Sequence, residues 1–280
     1  MTSQFGGTLA RPVLQAAAFG AGVPQWPLPA ASTPHELWLR AVAAGGQGHY
    51  ASAHADLAAL RRQFRPECAS EPSEPGPQAL GSLGSLAHST AGSLMRQLGW
   101  HDVARRWDGI ALRLAGADVQ ARGDALVGLA ADALGVGRFT TSAALLAGAR
   151  QVCGGPARQE VRLEWVSAEL AMMSGDGVGA VRHARRAIDL AAAVSSVRHQ
   201  IKSEVVLAAA LCSAGQLNEA RAVADPALMA AERSGLVPLR WAVASLLSGI
   251  GSAGRTAEEI AAARDEAADL IKHRGGVFAR

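Results

Sequence analysis

One spacing of small residues recurs five times along this chain and constrains its fold more than any other feature. In each set, a second residue follows the first after twelve positions, and a third follows after seven more. Repetition at a fixed period is the sequence signature of an array of similar structural units. The five sets are Ala41/Ala53/Leu60, Gly92/Ala104/Ala111, Ala130/Ser142/Ala149, Ala168/Ala180/Ala187 and Ala208/Ala220/Ala227, in which only Leu60 and Ser142 are neither alanine nor glycine.

A series of glycines accompanies these sets and indicates where helices end. Each set has one glycine five positions before its middle residue, and a sixth continues the series: Gly48, Gly99, Gly137, Gly175, Gly215 and Gly254. The intervals between them are 51, 38, 38, 40 and 39 residues. This period predicts stacked helical hairpins, each of which contacts only its neighbours. Functional residues are then expected along a long surface and not in a catalytic pocket.

The composition favours an all-α fold. Apolar residues make up 49% of the 280 positions, which excludes a wholly disordered chain. Much of that fraction is alanine, the best helix former, whereas aromatic residues make up only 4%. The net charge of +3 is weak for a dedicated nucleic-acid binder, which concentrates a larger excess on one face. Binding to nucleic acid is therefore not expected as the main function.

Cysteine usage and hydropathy bear on the compartment. The three cysteines, Cys68, Cys153 and Cys212, lie far apart and lack metal-ligand spacing. A sparse, odd set of cysteines is typical of a reducing environment, so a cytoplasmic location is expected. No apolar stretch approaches the ~20 residues needed to cross a bilayer, so no membrane contact is expected. The sequence also gives no reason to expect a metal or another cofactor.

Four segments are predicted. Residues 1–32 form a flexible N-terminal arm, an interpretation we favour over an export signal because glycines and prolines interrupt its apolar stretch. Residues 33–64 form a first helix hairpin, which begins at Thr33-Pro34-His35-Glu36 with a capping residue, a proline and an acid. Residues 65–80 hold four prolines and three glutamates and form a loop. Residues 81–280 form the remaining repeats and a C-terminal capping helix.

The chain resembles the tetratricopeptide-repeat family, in a variety with long repeats. The resemblance is clearest in SGDGVGAVRHARRAIDLA at 174–191 and SAGQLNEARAVADPAL at 213–228, and it covers about residues 34–272. The period of 38 to 40 exceeds the 34 residues usual in the family. The resemblance implies a right-handed α-solenoid of about six antiparallel hairpins. Long repeats of this kind are similar to those in regulatory arms of some bacterial transcription and signalling proteins.

The resemblance also implies a binding surface, because the first helix of each hairpin lines a concave groove in this family. The groove-facing positions are Trp38, Arg96, Gln97, Arg162, Trp165, Glu169, Met172, Lys202 and Trp241. In the fourth hairpin Arg162, Trp165 and Glu169 share one helical face. An extended peptide with an acidic side chain or a C-terminal carboxylate could lie there. Packing in the core is the alternative for the tryptophans, and it is the interpretation we favour for Trp165 and Trp241.

An arginine-rich helix face is the alternative site. Arg182, Arg185 and Arg186 share one face and Arg198 follows on the next helix, so the cluster could bind an anion or nucleic acid. A solvated face without a ligand explains the same pattern. The sequence lacks the Gly-Lys, Gly-x-Ser-x-Gly and His-Glu-x-x-His motifs, so an enzyme is not expected. We expect a protein or peptide partner, and a homo-oligomer through the first hairpin remains open.

Overall fold

The computed structural model describes residues 7–22, 26–63, 77–152 and 155–279, with the backbone alone for 7–9 and 77–80. All regular structure in these ranges is α-helical, which confirms the predicted fold class. None of the described helices is long and apolar enough to cross a membrane. The helices are α1 Gly7–Phe19, α2 Pro34–Gly46, α3 Tyr50–Gln63, α4 Pro77–Gln97, α5 His101–Leu114, α6 Val119–Gly135, α7 Phe139–Arg150, α8 Ala157–Met173, α9 Gly177–Ala192, α10 Val197–Ser213, α11 Leu217–Arg233, α12 Val237–Ile250 and α13 Ala257–His273.

The glycine series explains the turns between paired helices. Five of its members follow directly on the ends of α2, α4, α6, α8 and α10 and have φ between 75 and 88 degrees, a region that favours glycine. They are Gly48, Gly99, Gly137, Gly175 and Gly215. The sixth turn departs from the series, because Gly251, and not Gly254, has the positive φ after α12.

Helices that follow each other in the chain also pack against each other in space. From α2 onwards every helix contacts the next one, and α4, α6, α8, α10 and α12 also contact the helix two places before them. The small residues of the repeat lie at these contacts: the middle members Ala53, Ala104, Ser142, Ala180 and Ala220 are all fully buried. Small side chains let the helix axes approach closely, as the sequence predicts. This packing is compatible with a helical repeat, whereas the handedness and the number of hairpins stay predictions.

The C-terminal helices return to the first ones. The Ala51 amide donates to the Arg274 carbonyl at 2.9 Å, and the Ala279 amide donates to the Leu98 carbonyl at 2.7 Å. Ile271 of α13 lies in the same buried cluster as Tyr50. The stack therefore closes on itself. The α13 helix, which the sequence predicts as a cap, packs against the start of the array. Tyr50 of the first hairpin, the hairpin through which the sequence left an oligomer contact open, is fully buried within the chain.

Two predicted boundaries differ in the structure. Residues 7–19 of the predicted flexible arm form helix α1, which buries Leu14 and Ala18 against the helical stack. Helix α1 has one apolar face, and burial of that face against the other helices explains why these residues form an ordered helix. Helix α4 begins at Pro77, inside the predicted loop 65–80, and residues 65–76 of that loop, with residue 64 before them, lie outside the described residues.

Candidate functional site

The neighbouring helices α8 and α10 present a group of side chains on one shared surface. On α8 these side chains recur every three or four residues, so they share one helical face. We call this surface the basic inner face and define it by Arg158, Arg162, Trp165 and Glu169 of α8 together with Arg198, His199 and Lys202 of α10. The structure thus brings together four of the predicted groove residues, namely Arg162, Trp165, Glu169 and Lys202.

Trp165 is the packed centre of the basic inner face. Its ring stacks on His199 with the centroids 5.3 Å apart, and its indole N–H donates to the Ser203 hydroxyl at 2.8 Å. The Lys202 ammonium lies 5.0 Å from the ring centroid, a cation–π contact. Only 8% of Trp165 is exposed, so its ring is packed beneath the charged groups and positions them. Burial lowers the pKa of His199 well below its usual value, with nearby Arg198 the next cause.

The cations of the basic inner face outnumber their carboxylate partners. Arg162 donates to Asp124, and Arg158 lies 3.9 Å from the same carboxylate. Lys202 lies 3.9 Å from Glu169. In the part of the chain that the structure describes, Arg198 forms no ion pair, and its Nη1 donates to the Val42 carbonyl at 3.2 Å. Burial, and then repulsion from Arg162 and Arg158, lower the pKa of Arg198 to about 10.

Helix α1 lies on this surface and covers part of it. The Phe19 ring centroid is 5.6 Å from the Trp38 ring of α2, and the Arg158 guanidinium carbon of α8 is 4.6 Å from the Phe19 centroid. The Val197 amide at the start of α10 donates to the Gly20 carbonyl at 3.2 Å. One short helix therefore touches α2, α8 and α10, which are far apart in sequence. This geometry places α1 on the inside of the closed stack.

The remaining predicted groove residues have other surroundings. Trp38 is buried and donates its indole N–H to the Thr90 hydroxyl at 3.1 Å, and the exposed Gln97 accepts a hydrogen bond from the Tyr50 hydroxyl. Trp241 packs against Phe278 with the ring centroids 4.9 Å apart. Met172 packs against the buried cluster between α8 and α9. These four residues serve the packing of the helices and are not part of the basic inner face, although Met172 packs against the cluster that contains Trp165 and Trp38 contacts Phe19.

Arg96, another predicted groove residue, forms a buried ionic triad. Its guanidinium donates to Asp108 and, at 2.8 Å, to Asp132, and both carboxylate side chains are fully buried. Burial raises the pKa of Asp108 to about 7, although Arg96 opposes the shift. A Cβ atom at Gly92 or Gly128 would collide with the Asp108 carboxylate. The triad thus ties α4, α5 and α6 together.

The arginine-rich face of α9 is separate from the basic inner face. Arg182, Arg185 and Arg186 are exposed, with Arg186 at 3.6 Å from Glu164 and Arg185 at 3.7 Å from Glu219. They border an open hollow with Arg150 and His183, and the His183 ring contacts Glu164 at 2.6 Å. Arg198, which the sequence groups with these arginines, instead contacts Phe19 and Val42.

Sequence reasoning missed two parts of the basic inner face. Arg158 precedes Arg162 by one helical turn, and this spacing could have indicated from the sequence that both side chains lie on the same helical face. Helix α1 carries Leu14 and Ala18 four residues apart, which also indicates an amphipathic helix. Within the described ranges, histidine, cysteine and carboxylate side chains form no group of three that could hold a metal ion. No known family model and no curated protein matches the chain.

Proposed function

We propose that this chain is a non-enzymatic protein-interaction module that binds a segment of a peptide or partner domain on its concave inner face. The observation that carries the proposal is α1, a helix of the chain itself that lies against α2, α8 and α10. A surface that accommodates one short helix has the shape needed to accommodate another. Recognition of an amphipathic helix in a groove is a recurring mode of peptide binding. A regulatory or scaffolding role follows from this mode.

The fold that supports this function is proposed to be a right-handed solenoid of six hairpins, from α2/α3 to α12/α13. The first helix of each pair then lines the inner face, where the candidate site lies. We also propose a cytoplasmic location, on the basis of the sparse cysteines. In this arrangement the inner face is long enough to hold a helix of three to four turns, the length of α1.

The energy of binding is expected to come from a few apolar anchors. Leu14 of α1 is fully buried, and burial of one leucine side chain is worth about 2 kcal/mol. Phe19 adds ring contacts to Trp38 and His199. The charged groups around Trp165 then fix the register of the bound segment, because charge complementarity contributes more to specificity than to affinity.

The alternative function, binding of an anion or nucleic acid at the α9 arginines, has less support. Arg185 and Arg186 already face Glu219 and Glu164, so their charges are partly balanced. Arg198 does not join them. A steep dependence of affinity on salt for a pool of RNA or DNA would favour this alternative over a protein partner.

Competitive capture tests the proposal. A specific protease site inserted after Gly22 and then cleaved leaves α1 held only by non-covalent contacts, and we call this form the nicked chain. Immobilised nicked chain is expected to retain a partner from native lysate. That partner should be released by a peptide of residues 7–22 and not by the same peptide with Leu14→Ser.

Matched variants of the immobilised chain locate the contact. Lys202→Ala removes an inner-face cation without disturbing the buried Trp165 N–H bond, whereas Arg185→Ala removes an exposed cation of α9. Retention should fall for Lys202→Ala and remain for Arg185→Ala. Loss of the partner with Arg185→Ala alone would move the binding surface to α9 and overturn the proposal.

A further inference from the structure

We propose that the partner segment is an acidic amphipathic helix, which displaces α1 from the basic inner face and places a carboxylate where Phe19 now lies. This inference rests on the proposed function, because it names the chemistry of the segment that the same surface binds. Two observations carry it: the basic inner face has more cations than carboxylates, and its present occupant has no carboxylate to offer.

The excess of positive charge can be counted from the ion pairs. Arg158 and Arg162 share the single carboxylate of Asp124, and Lys202 faces Glu169. Arg198 forms no ion pair within the described part of the chain. Four cations are thus matched by two carboxylates, which leaves two positive charges in excess. A buried guanidinium that lacks a counter-ion is costly, since its hydration is lost without compensation.

Over the chain as the structure describes it, neither Arg158 nor Arg198 has a close carboxylate of its own. Arg158 Nη2 is buried and has no hydrogen-bond partner among the described residues. The pKa of both Arg158 and Arg198 is lowered, chiefly by burial, and repulsion between the arginines adds to the shift. A carboxylate that accepts hydrogen bonds from these guanidinium groups would satisfy the buried Arg158 Nη2 and oppose the lowering of both pKa values, because charge-assisted hydrogen bonds are the strongest that such groups form.

Helix α1 is electrostatically a poor occupant of this surface. Residues 7–22 contain Arg11 and neither aspartate nor glutamate. At the point nearest to the excess charge, α1 presents the Phe19 ring, whose centroid is 4.6 Å from the Arg158 guanidinium carbon and 5.9 Å from that of Arg198. A cation–π contact compensates a buried guanidinium less well than a carboxylate does. Position 19 is therefore the place where an acidic side chain would reach both arginines.

The attachment of α1 is also suited to displacement. Leu14 and Ala18 are buried, but the neighbouring side chains of Arg11, Val13 and Gln15 are exposed. Between residues 7–22 and α10, the hydrogen bond from the Val197 amide to the Gly20 carbonyl is the one polar contact of the described backbone. A helix with the same apolar positions and one carboxylate keeps the packing and adds an ion pair.

A pair of peptides that differ only in charge tests the inference. Fluorescent peptides of residues 7–22 carrying Phe19→Glu or Phe19→Gln are titrated into the nicked chain, and binding is followed by anisotropy. The glutamate peptide should bind about fivefold more tightly than the glutamine peptide, because a charged acceptor adds about 1 kcal/mol over a neutral one. High salt should reduce this preference. Hydrogen exchange of α1 in the intact chain should rise when the glutamate peptide is added.

Two variants of the nicked chain assign the preference to the basic inner face. The double variant Arg158→Gln/Arg198→Gln should abolish the preference for glutamate, because it removes both arginines that face position 19, whereas Arg182→Gln, at an exposed arginine of α9, should leave it unchanged. Equal binding of both peptides would overturn the inference and leave the proposed function standing. Failure of both peptides, and of the unmodified peptide, to bind would overturn the proposed function itself. A preference that survives the double substitution Arg158→Gln/Arg198→Gln would place the acidic site elsewhere and also overturn the inference.

Discussion

At the residue scale, one buried ionic triad accounts for the absence of side chains at two positions. Arg96 holds Asp108 and Asp132, and a Cβ atom at Gly92 or Gly128 would collide with Asp108. Gly92 belongs to the small-residue repeat, so at this position the repeat serves the triad as well as the approach of the helices. Because two carboxylates are buried with one guanidinium, the triad affects both the packing of the helices and the pH dependence of stability.

The first prediction concerns the space at Gly128. Gly128→Ala should lower the free energy of unfolding by roughly 1–3 kcal/mol, because the new methyl group forces the buried carboxylate to move. Gly148→Ala is the matched control, since a Cβ atom at this position, in the last turn of α7, meets nothing within 4 Å. This control should raise the free energy of unfolding by up to about 1 kcal/mol. Denaturant titration of both variants measures the difference, and the same sign for both would contradict the account.

The second prediction concerns pH. The pKa of Asp108 is raised to about 7 in the folded chain by burial, above its usual value of 3.8. The folded state therefore binds more protons than the unfolded state between these values, so this contribution to stability falls as pH rises. Asp108→Asn imitates the protonated form. The free energy of unfolding of the wild type should drop relative to that of Asp108→Asn as pH rises from 5 to 8, and a constant difference would refute this assignment.

At the element scale, the start of α2 shows how local sequence fixes a helix boundary. The Thr33 hydroxyl accepts the Glu36 amide N–H, and the Glu36 carboxylate accepts the Thr33 and Ser32 amides. The pKa of Glu36 lies below its usual value, chiefly because its carboxylate accepts a hydrogen bond from the Ser32 backbone amide. Burial acts in the opposite direction and is the smaller effect. The string Thr33-Pro34-His35-Glu36 predicts this boundary from sequence because all of the interacting groups lie within five residues.

The third prediction tests this cap. Thr33→Ala removes the hydroxyl acceptor and should lower the free energy of unfolding by about 1 kcal/mol. Thr33→Ser, which keeps the acceptor, serves as the control and should change stability little. Thermal unfolding of the two variants provides the measurement. Equal destabilisation by serine and alanine would mean that the methyl group, and not the hydroxyl, stabilises this end of α2.

The limits of sequence reasoning also appear at this scale. The paired helices follow from glycines and small residues at fixed spacing, since both signals are local. The position of α1 does not follow, because Phe19 contacts Arg158 and His199, which are more than a hundred positions away in sequence. Trp165 illustrates the middle case. The helical face on which Trp165 lies could be predicted from the sequence. Whether its side chain binds a ligand or packs in the core could not, because this depends on its contacts with Ser203 and His199 of the next hairpin.

At the scale of the whole molecule, closure distinguishes this chain from an open stack. The Trp100 indole N–H donates to the Val277 carbonyl at 2.6 Å, and the Arg274 guanidinium donates to the Gln47 carbonyl at 2.8 Å. These contacts join the last residues to the first two hairpins. Tyr50 is fully buried in the cluster that also contains Ile271 of α13. The repeat period carries no information about this closure, so the sequence predicted only a C-terminal capping helix at α13.

The fourth prediction tests closure. Phe278→Ala removes the ring that packs on Trp241 and should lower the free energy of unfolding by about 2 kcal/mol. Its effect should also reach distant parts of the sequence. Hydrogen exchange is expected to rise at residues 51 and 98–100, which face the C-terminal segment. Val277→Ala, at an exposed position, is the control and should leave exchange there unchanged. A rise confined to α13 would contradict closure.

The most direct test of the central claim, that the inner face recognises a helix, is binding of the chain's own α1 peptide in trans. A fluorescent peptide of residues 7–22 should bind the nicked chain saturably. Leu14→Ser should weaken binding at least tenfold, about 1.4 kcal/mol, because that side chain is fully buried. Gln15→Ser, at an exposed position, should leave affinity unchanged. Equal affinity of the two variant peptides, or no binding at all, would contradict the account.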